Sequence, residues 1–132
     1  MKFRSKFEAN IYPTLPKGTE FEGDTLIYDK RTTRKMICQD CSSVRVLQKA
    51  KYLTDFKMPN GIYLEAKGYF PSSDRSKMES VIKCNPDCDL RMVFQKDGWV
   101  DNKKKHLKYS EWCTRRNIKW CVGKVPEGWK DE

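Results

Sequence analysis

The stretch TDFKMPNGIYLEAK, residues 54–67, decides the fold predicted for this chain. Its centre, Pro59-Asn60-Gly61, is the clearest turn signal in the sequence, because proline and glycine favour the backbone angles of tight turns. After the turn, residues 62–67 alternate between apolar and polar side chains, which is the period of a half-buried β-strand. The stretch therefore predicts a β-hairpin.

The register of this hairpin decides which polar side chains share a face. Glu65 and Lys67 are two residues apart on a strand, so both point to the same side. A two-residue turn at Asn60-Gly61 would pair Asp55 with Ala66 and direct Asp55 to the opposite face. We therefore predict a bulge or a three-residue loop, which shifts the pairing by one residue and joins Asp55 to Glu65 and Lys67.

These three side chains suit phosphate chemistry. Two carboxylates make an oxygen-rich site for Mg²⁺, which commonly takes one or two carboxylates and adds water and substrate phosphate. The metal can generate hydroxide and stabilise charge on phosphorus, while Lys67 can orient the water or hold its deprotonated form. The spacing alone is a weak signal, because solvated strand faces often show it.

The rest of the chain reads as helices and strands in one α/β domain with a mixed β-sheet. A short amphipathic helix around residues 3–11 must end at Pro13 and Pro16. Residues 72–74 are typical of a helix cap. Strands are predicted at 19–28, 44–47, 52–57, 62–67, 90–95 and 118–122, with 44–57 forming one long or two broken strands, and later helices at 72–83 and 109–116.

Two basic segments flank a neutral centre. Lys and Arg number 27 against 18 Asp and Glu, a formal net charge of +9, and the excess falls within residues 29–57 and 96–130. Lys and Arg that neutralise phosphates release counterions, so segregated positive charge favours a nucleic-acid partner. The alternative for any single run, such as residues 103–105, is a solvated loop.

Hydropathy excludes membrane and secreted classes. The mean hydropathy is −0.83, and no stretch approaches the roughly 20 apolar residues of a membrane helix. The first residues carry no apolar signal-peptide core. We expect a protein of the cytoplasm that contacts no membrane.

Six cysteines in a reducing compartment favour thiols or metal ligands over disulfides. The pairs Cys38 with Cys41 and Cys84 with Cys88 can supply the four sulfur ligands of a structural Zn²⁺. Four free thiols are the alternative. The remaining cysteines are predicted to lie in the core: Cys113 and Cys121.

Six blocks of the sequence carry a resemblance to a known family. They are FRSKFE (residues 3–8), TDFKMPNGI (54–62), LEAKG (64–68), SDRSK (73–77), DLRMVF (89–94) and YSEWC (109–113). In this order they resemble the phage endonuclease I family, the Holliday-junction resolvases of the T-odd phages, within the PD-(D/E)xK nuclease superfamily. The resemblance implies a restriction-endonuclease-like mixed β-sheet flanked by helices.

The resemblance also implies an activity and its residues. We expect a Mg²⁺-dependent endodeoxyribonuclease, with Mn²⁺ as a substitute metal, that cleaves Holliday junctions and other branched double-stranded DNA. Asp55 and Glu65 would hold the metal, and Lys67 would assist the water. Glu8 would complete a second metal position. The family forms an intertwined homodimer that exchanges N-terminal segments, so Glu8 would serve the other subunit's site, in the host cytoplasm if the chain is phage-encoded.

This sequence departs from the family pattern in three places. A basic, cysteine-containing insertion at about 29–52 lengthens the connection where the family has its dimer bridge, within a single nuclease domain over residues 1–132. Pro13 and Pro16 shorten the helix that carries Glu8, and Thr54 stands where family members have proline.

Two further nucleic-acid functions stay open. The first is a sequence-specific or homing-type DNA endonuclease on the same core, in which residues 29–52 read bases. The second is a non-catalytic, zinc-stabilised nucleic-acid-binding module. The side chains predicted to contact DNA are Arg4, Arg75, Lys77, Lys103, Lys104 and Lys105.

Overall fold

The computed structural model describes residues 2–36 and 44–132. Its elements are α1 (Lys6–Ile11), a 3₁₀ turn (Tyr12–Thr14), β1 (Glu20–Phe21), β2 (Thr25–Met36), β3 (Val44–Leu53), β4 (Phe56–Lys57), β5 (Tyr63–Lys67), α2 (Ser72–Cys84), β6 (Leu90–Phe94), α3 (Tyr109–Arg115), β7 (Trp120–Val122) and α4 (Glu127–Lys130).

Five strands form one mixed sheet in the order β1-β4-β5-β6-β7. The pairs β1–β4 and β4–β5 are antiparallel, whereas β5–β6 and β6–β7 are parallel. Helices α2 and α3 provide the two crossover connections that parallel neighbours require. All five residues of β6 are buried, as expected for a strand that is covered on both faces. The predicted α/β class with a mixed sheet flanked by helices is confirmed.

The two faces of the sheet carry separate hydrophobic clusters. Successive residues of β6 alternate between them: Met92 and Phe94 pack with α2 and α3, and Val93 packs with α1. On β5, Tyr63 belongs to the first cluster and Leu64 to the second. Because strand side chains alternate, Glu65 and Lys67 follow Tyr63 to the face covered by α2.

A second, two-stranded sheet pairs β2 with β3 as an antiparallel hairpin. The pairing runs from Thr25 opposite Leu53 to Met36 opposite Val44 and shifts between Arg31 and Lys35. The hairpin packs on the end of α2, where the Asn85 side-chain amide donates to the Ile27 carbonyl oxygen at 2.9 Å. The predicted insertion at about 29–52 lies mostly within this hairpin.

The strand count predicted ahead of α2 was wrong. The predicted strand over 19–28 is broken: Glu22 has a φ of 53° and the chain turns there, so β1 and β2 join different sheets. In the same way, the chain leaves the hairpin after Leu53 and enters the main sheet at Phe56. The cap of α2 was also misassigned, because the N-cap residue is Pro71, without a side-chain hydrogen bond.

Among the described residues, every helix is too short or too polar to cross a bilayer.

Candidate active site

The β4–β5 hairpin has the register that the sequence required. Phe56 pairs with Leu64 and Lys57 with Tyr63, which sets Asp55 opposite Glu65. The Met58 amide donates to the Ile62 carbonyl at 2.9 Å, leaving a three-residue loop. Gly61 closes this loop with a φ of 91°, a conformation that glycine adopts without a Cβ penalty. The predicted shift by one residue is confirmed.

Asp55 lies in the short break between β3 and β4 and is only 3% exposed. Its Oδ2 accepts a hydrogen bond from the Ala66 amide at 2.9 Å, which ties it to the facing strand. Burial raises the pKa of Asp55 to about 6, the Ala66 hydrogen bond opposes that rise, and the Glu8 carboxylate adds to it. Asp55 is therefore a carboxyl group whose negative charge the fold disfavours.

Glu65 lies on β5 and is also 3% exposed. The Tyr52 hydroxyl, from β3, donates to its Oε2, and Lys67 Nζ lies 3.4 Å from its Oε1. Burial raises the pKa of Glu65 to about 7, although Lys67 and Lys77 lower it. The Glu8 carboxylate also raises the pKa of Glu65.

Lys67 lies between two acidic side chains, Glu65 and Asp74, and borders the carboxyl cluster, which consists of Asp55, Glu65 and Glu8. Its Nζ lies 3.4 Å from Glu65 Oε1 and 3.3 Å from Asp74 Oδ2, and its side chain is 24% exposed. Burial opposes the ammonium charge, but Glu65 and Asp74 outweigh it and raise the pKa of Lys67. The surroundings of Lys67 therefore favour its charged form, which can donate hydrogen bonds.

Glu8 reaches the cluster from α1. Its amide donates to Ser5 Oγ at 3.2 Å, and its Oε2 accepts from the Arg4 amide at 3.1 Å, so it takes part in the helix cap. Phe7 and Ile11 pack α1 onto the sheet of the same chain, and Glu8 is 5% exposed. Within one chain, Glu8 and Lys67 therefore each act electrostatically on both Asp55 and Glu65, the other two predicted catalytic residues.

The donor set fits a metal that needs few protein ligands. Within residues 2–36 and 44–132, no three His, Cys, Asp or Glu side chains come together as a complete metal site. Mg²⁺ is commonly bound by one or two carboxylates, with water and substrate phosphate filling the other positions. The Asp55 and Glu65 oxygens match that requirement, and a divalent cation would compensate the charge that burial disfavours.

The cysteines divide into two kinds. Cys113 and Cys121 are buried as predicted, and burial raises the pKa of each thiol to about 12, so neither is a reactive thiolate. Cys84 is the last residue of α2, Cys88 lies in the turn between α2 and β6, and Cys84 Sγ lies 3.9 Å from Asp29 Oδ2. The other two predicted zinc ligands, Cys38 and Cys41, lie outside the described residues.

The predicted DNA contacts occupy different environments. The Lys103–Lys105 loop is exposed, and Asp101 shapes it by accepting from the Lys103 and Lys104 amides. Arg4 is exposed and forms an ion pair with Glu22 at 2.9 Å. These roles in DNA binding stay predictions.

Two predicted contacts near the carboxyl cluster already have partners. Arg75 Nη1 donates to the Phe70 carbonyl at 2.7 Å, so this side chain stabilises the loop before α2. Lys77 Nζ lies 5.0 Å from the centre of the Tyr52 ring.

Sequence reasoning missed Tyr52 and Asp74 as members of this site. In a continuous strand, Tyr52 and Asp55 would face opposite sides, and only the break at residues 54–55 brings both to Glu65. Asp74 was interpreted as a helix cap, whereas it pairs with Lys67. The position of Asp74 in the first turn after the predicted catalytic strand was the available signal.

The fold and the site define an α/β protein with an acidic centre built on two adjacent strands and completed by a helix. Residues 3–132 match the phage endonuclease I family, and the chain belongs to that family.

Two curated relatives support this assignment. The chain is 35% identical over 81 residues to "Endonuclease I" of Escherichia phage T7, covering 61% of this chain and 54% of the relative. It is 35% identical over 75 residues to "Endodeoxyribonuclease 1" of Enterobacteria phage T3, covering 57% of this chain and 49% of that protein. The matched part of the chain thus spans about half the length of these relatives.

Because Asp55 is buried, we predict that its negative charge lowers the stability of the folded protein. Asp55→Asn should raise the free energy of unfolding near pH 8 by about 1–3 kcal/mol and change it little near pH 4. Because the folded-state pKa of Asp55 is raised to about 6 from 3.8, wild-type stability falls as the pH rises between those values. Urea unfolding in EDTA, followed by tryptophan fluorescence at both pH values, measures the difference.

Asp24→Asn is the matched control with the opposite sign. The Tyr63 hydroxyl and Lys57 lower the pKa of Asp24, so removing its charge should destabilise the protein near pH 8. Equal destabilisation by both substitutions would contradict the assignment of Asp55 as a disfavoured charge.

Proposed function

We propose that this chain is a structure-selective DNA endonuclease that hydrolyses phosphodiester bonds with a divalent metal, Mg²⁺ or Mn²⁺. The observation that carries the proposal is that the hairpin register sets Asp55 opposite Glu65, with both carboxyl groups buried and the Lys67 ammonium 3.4 Å from Glu65 Oε1. The family match and the two nuclease relatives support the activity. We propose that the fold is of the restriction-endonuclease type. We also propose that the enzyme acts in the host cytoplasm.

The chain's own residues divide the work. Asp55 and Glu65 would hold the metal, and Ala66 and Tyr52 keep one oxygen of each carboxyl in place. Glu8 adds a third carboxylate from α1 for a second metal position. A bound divalent metal would activate water and stabilise the charge that builds on phosphorus.

Lys67 acts on the same charge from the side of α2. Its ammonium is held between Glu65 and Asp74 and stays partly open to solvent, so it can donate to a phosphate oxygen or to the attacking water. Asp74 positions it by the second ion pair. Preorganised cations at a developing charge are a large catalytic contribution in a water-poor site.

Four-way and other branched DNA is the proposed substrate. The net charge of +9 supports a polyanionic partner, and the exposed Lys103–Lys105 loop provides contacts that do not depend on sequence. Contacts to the backbone position a protein on DNA, so a branched shape can be selected with few base contacts. The competing function is a sequence-specific endonuclease in which the β2–β3 hairpin reads bases.

Cleavage of a four-way junction beside a linear duplex of the same arm sequence tests the proposal. With Mg²⁺ the wild type should cut in pairs near the branch point, and EDTA should abolish cutting. Glu65→Ala should lower the rate at least about 100-fold, the scale of removing one electrostatic group at a reacting centre. Single-turnover rates on a denaturing gel provide the measurement.

Glu127→Ala is the matched control, because Glu127 is a surface carboxylate with a side chain that is 72% exposed. It should cut at the wild-type rate. Cutting of the linear duplex at one fixed sequence would favour the site-specific alternative. Tight binding without cleavage by the wild type would leave only the DNA-binding module.

We also propose that the active form is an intertwined homodimer that exchanges α1. Phe7 and Ile11 cover the sheet of their own chain, and α1 of a second copy would cover the same surface after exchange. The two arrangements differ in which chain supplies Glu8.

Mixing two inactive variants distinguishes these arrangements. If α1 is exchanged, Glu8→Gln refolded together with Asp55→Asn gives a heterodimer with one intact site, and nicking of the junction returns. If each chain supplies its own Glu8, every site keeps one defect and the mixture stays inactive. Each variant refolded alone is the control, and sedimentation measures the dimer.

A structural Zn²⁺ held by Cys38, Cys41, Cys84 and Cys88 is the remaining proposal. Reduced, freshly purified protein should contain about one zinc per chain, and the double substitution Cys84→Ser with Cys88→Ser should lose it. Cys113→Ala, which alters a core thiol, should retain the metal. Elemental analysis that finds no stoichiometric zinc in the wild type would overturn the site.

A further inference from the structure

We propose that Tyr52 is a positioning residue, which orients the Glu65 carboxylate for metal binding and thereby makes the β2–β3 hairpin part of the catalytic machinery. This inference rests on the proposed function. It assigns a role to Tyr52, which would not bind the metal itself but would hold the ligand Glu65 in place. The observation behind it is a hydrogen bond between two buried side chains that belong to different sheets.

Tyr52 fixes one of the two oxygens of Glu65. Its hydroxyl donates to Oε2, while Lys67 Nζ lies 3.4 Å from Oε1. With both oxygens engaged by different elements, the carboxylate cannot rotate freely about its last bond. Tyr52 holds Oε2 by a hydrogen bond from a hydroxyl, which adds no positive charge to the site, while Oε1 lies beside the Lys67 ammonium.

The Tyr52 side chain is itself held firmly. It is 3% exposed and packs in the cluster beneath α2 with Tyr63 and Met78. Lys77 Nζ, on α2, lies 5.0 Å from the centre of the ring. The orientation of the hydroxyl is therefore determined by packing of the hairpin against α2.

The Tyr52 hydroxyl connects the β2–β3 hairpin to Glu65. Tyr52 is the last residue of the predicted insertion, and it pairs with Leu26 near the base of the hairpin. A shift of the hairpin relative to α2 would move the hydroxyl away from Glu65. Partners that hold metal ligands in place commonly change metal affinity or activity 10- to 100-fold when they are removed.

Tyr52→Phe tests the inference, because it removes the hydroxyl and keeps the ring. Mn²⁺ binding to the protein without DNA is measured by calorimetry, and junction cleavage is measured as a function of Mg²⁺ concentration. We expect the Mn²⁺ dissociation constant and the half-saturating Mg²⁺ concentration to rise about 10-fold or more. The cleavage rate at saturating Mg²⁺ should stay within a few-fold of the wild type.

Tyr63→Phe is the matched control. It removes another buried tyrosine hydroxyl, from the same strand as Glu65, whose hydrogen bond goes to Asp24 at 2.5 Å. This variant should bind Mn²⁺ as the wild type does. Thermal unfolding of both variants in EDTA checks that each is folded at the assay temperature.

The outcomes separate the two proposals. Unchanged metal constants for Tyr52→Phe, or an equal change in Tyr63→Phe, would overturn the positioning role while wild-type cleavage leaves the proposed function standing. A loss of folding only in Tyr52→Phe would make Tyr52 a structural residue and also overturn the role. A wild type that neither binds Mn²⁺ nor cuts any DNA would overturn both proposals.

Discussion

Two carboxyl groups are buried at neighbouring positions of the β4–β5 hairpin, and the surrounding elements are arranged to compensate for their burial. Asp55 and Glu65 are each 3% exposed, and burial raises the pKa of both. Placing them side by side costs free energy near neutral pH, where hydration would otherwise stabilise the charges. The fold tolerates this cost through the Ala66 amide, the Tyr52 hydroxyl and the Lys67 ammonium, each of which contacts one carboxyl.

This site is assembled from parts that belong to different layers. The β4–β5 hairpin provides the acidic pair and Lys67, α1 provides Glu8 from one face, and β3 provides Tyr52 from a second sheet. Each part is anchored by its own hydrophobic contacts. Glu65 and Lys67 lie on β5, the central strand of the main sheet, and Asp55 lies just before the neighbouring strand β4. Such an arrangement resists small displacements, which suits a centre that must hold like charges near one another.

Local sequence patterns correctly predicted the helices, strands and turns whose formation depends mainly on residues close together in the chain. The Pro59-Asn60-Gly61 turn, the helix of α1 and the buried strand β6 all follow from turn chemistry, spacing or hydrophobic runs. The errors fell where the chain passes between sheets. The break at Glu22, with its φ of 53°, is marked by the glycine that follows it, Gly23, a signal that the strand predicted over 19–28 overlooked. The break at residues 54–55 contains neither glycine nor proline.

Turn chemistry and alternation predicted the hairpin of residues 54–67 from the sequence alone. Its register followed from the requirement that Asp55 and Glu65 share a face, because strand alternation leaves one register that joins the two carboxyls. How deeply they are buried and which groups hold them depend on the packing of the assembled layers. Tyr52 reaches Glu65 only because the chain breaks at residues 54–55, and no local pattern encodes that contact. Asp74 reaches Lys67 from the first turn of α2, so its contact had a local signal. Burial, and with it the raised pKa of both acids, is a property of the assembled layers rather than of the strand that carries them.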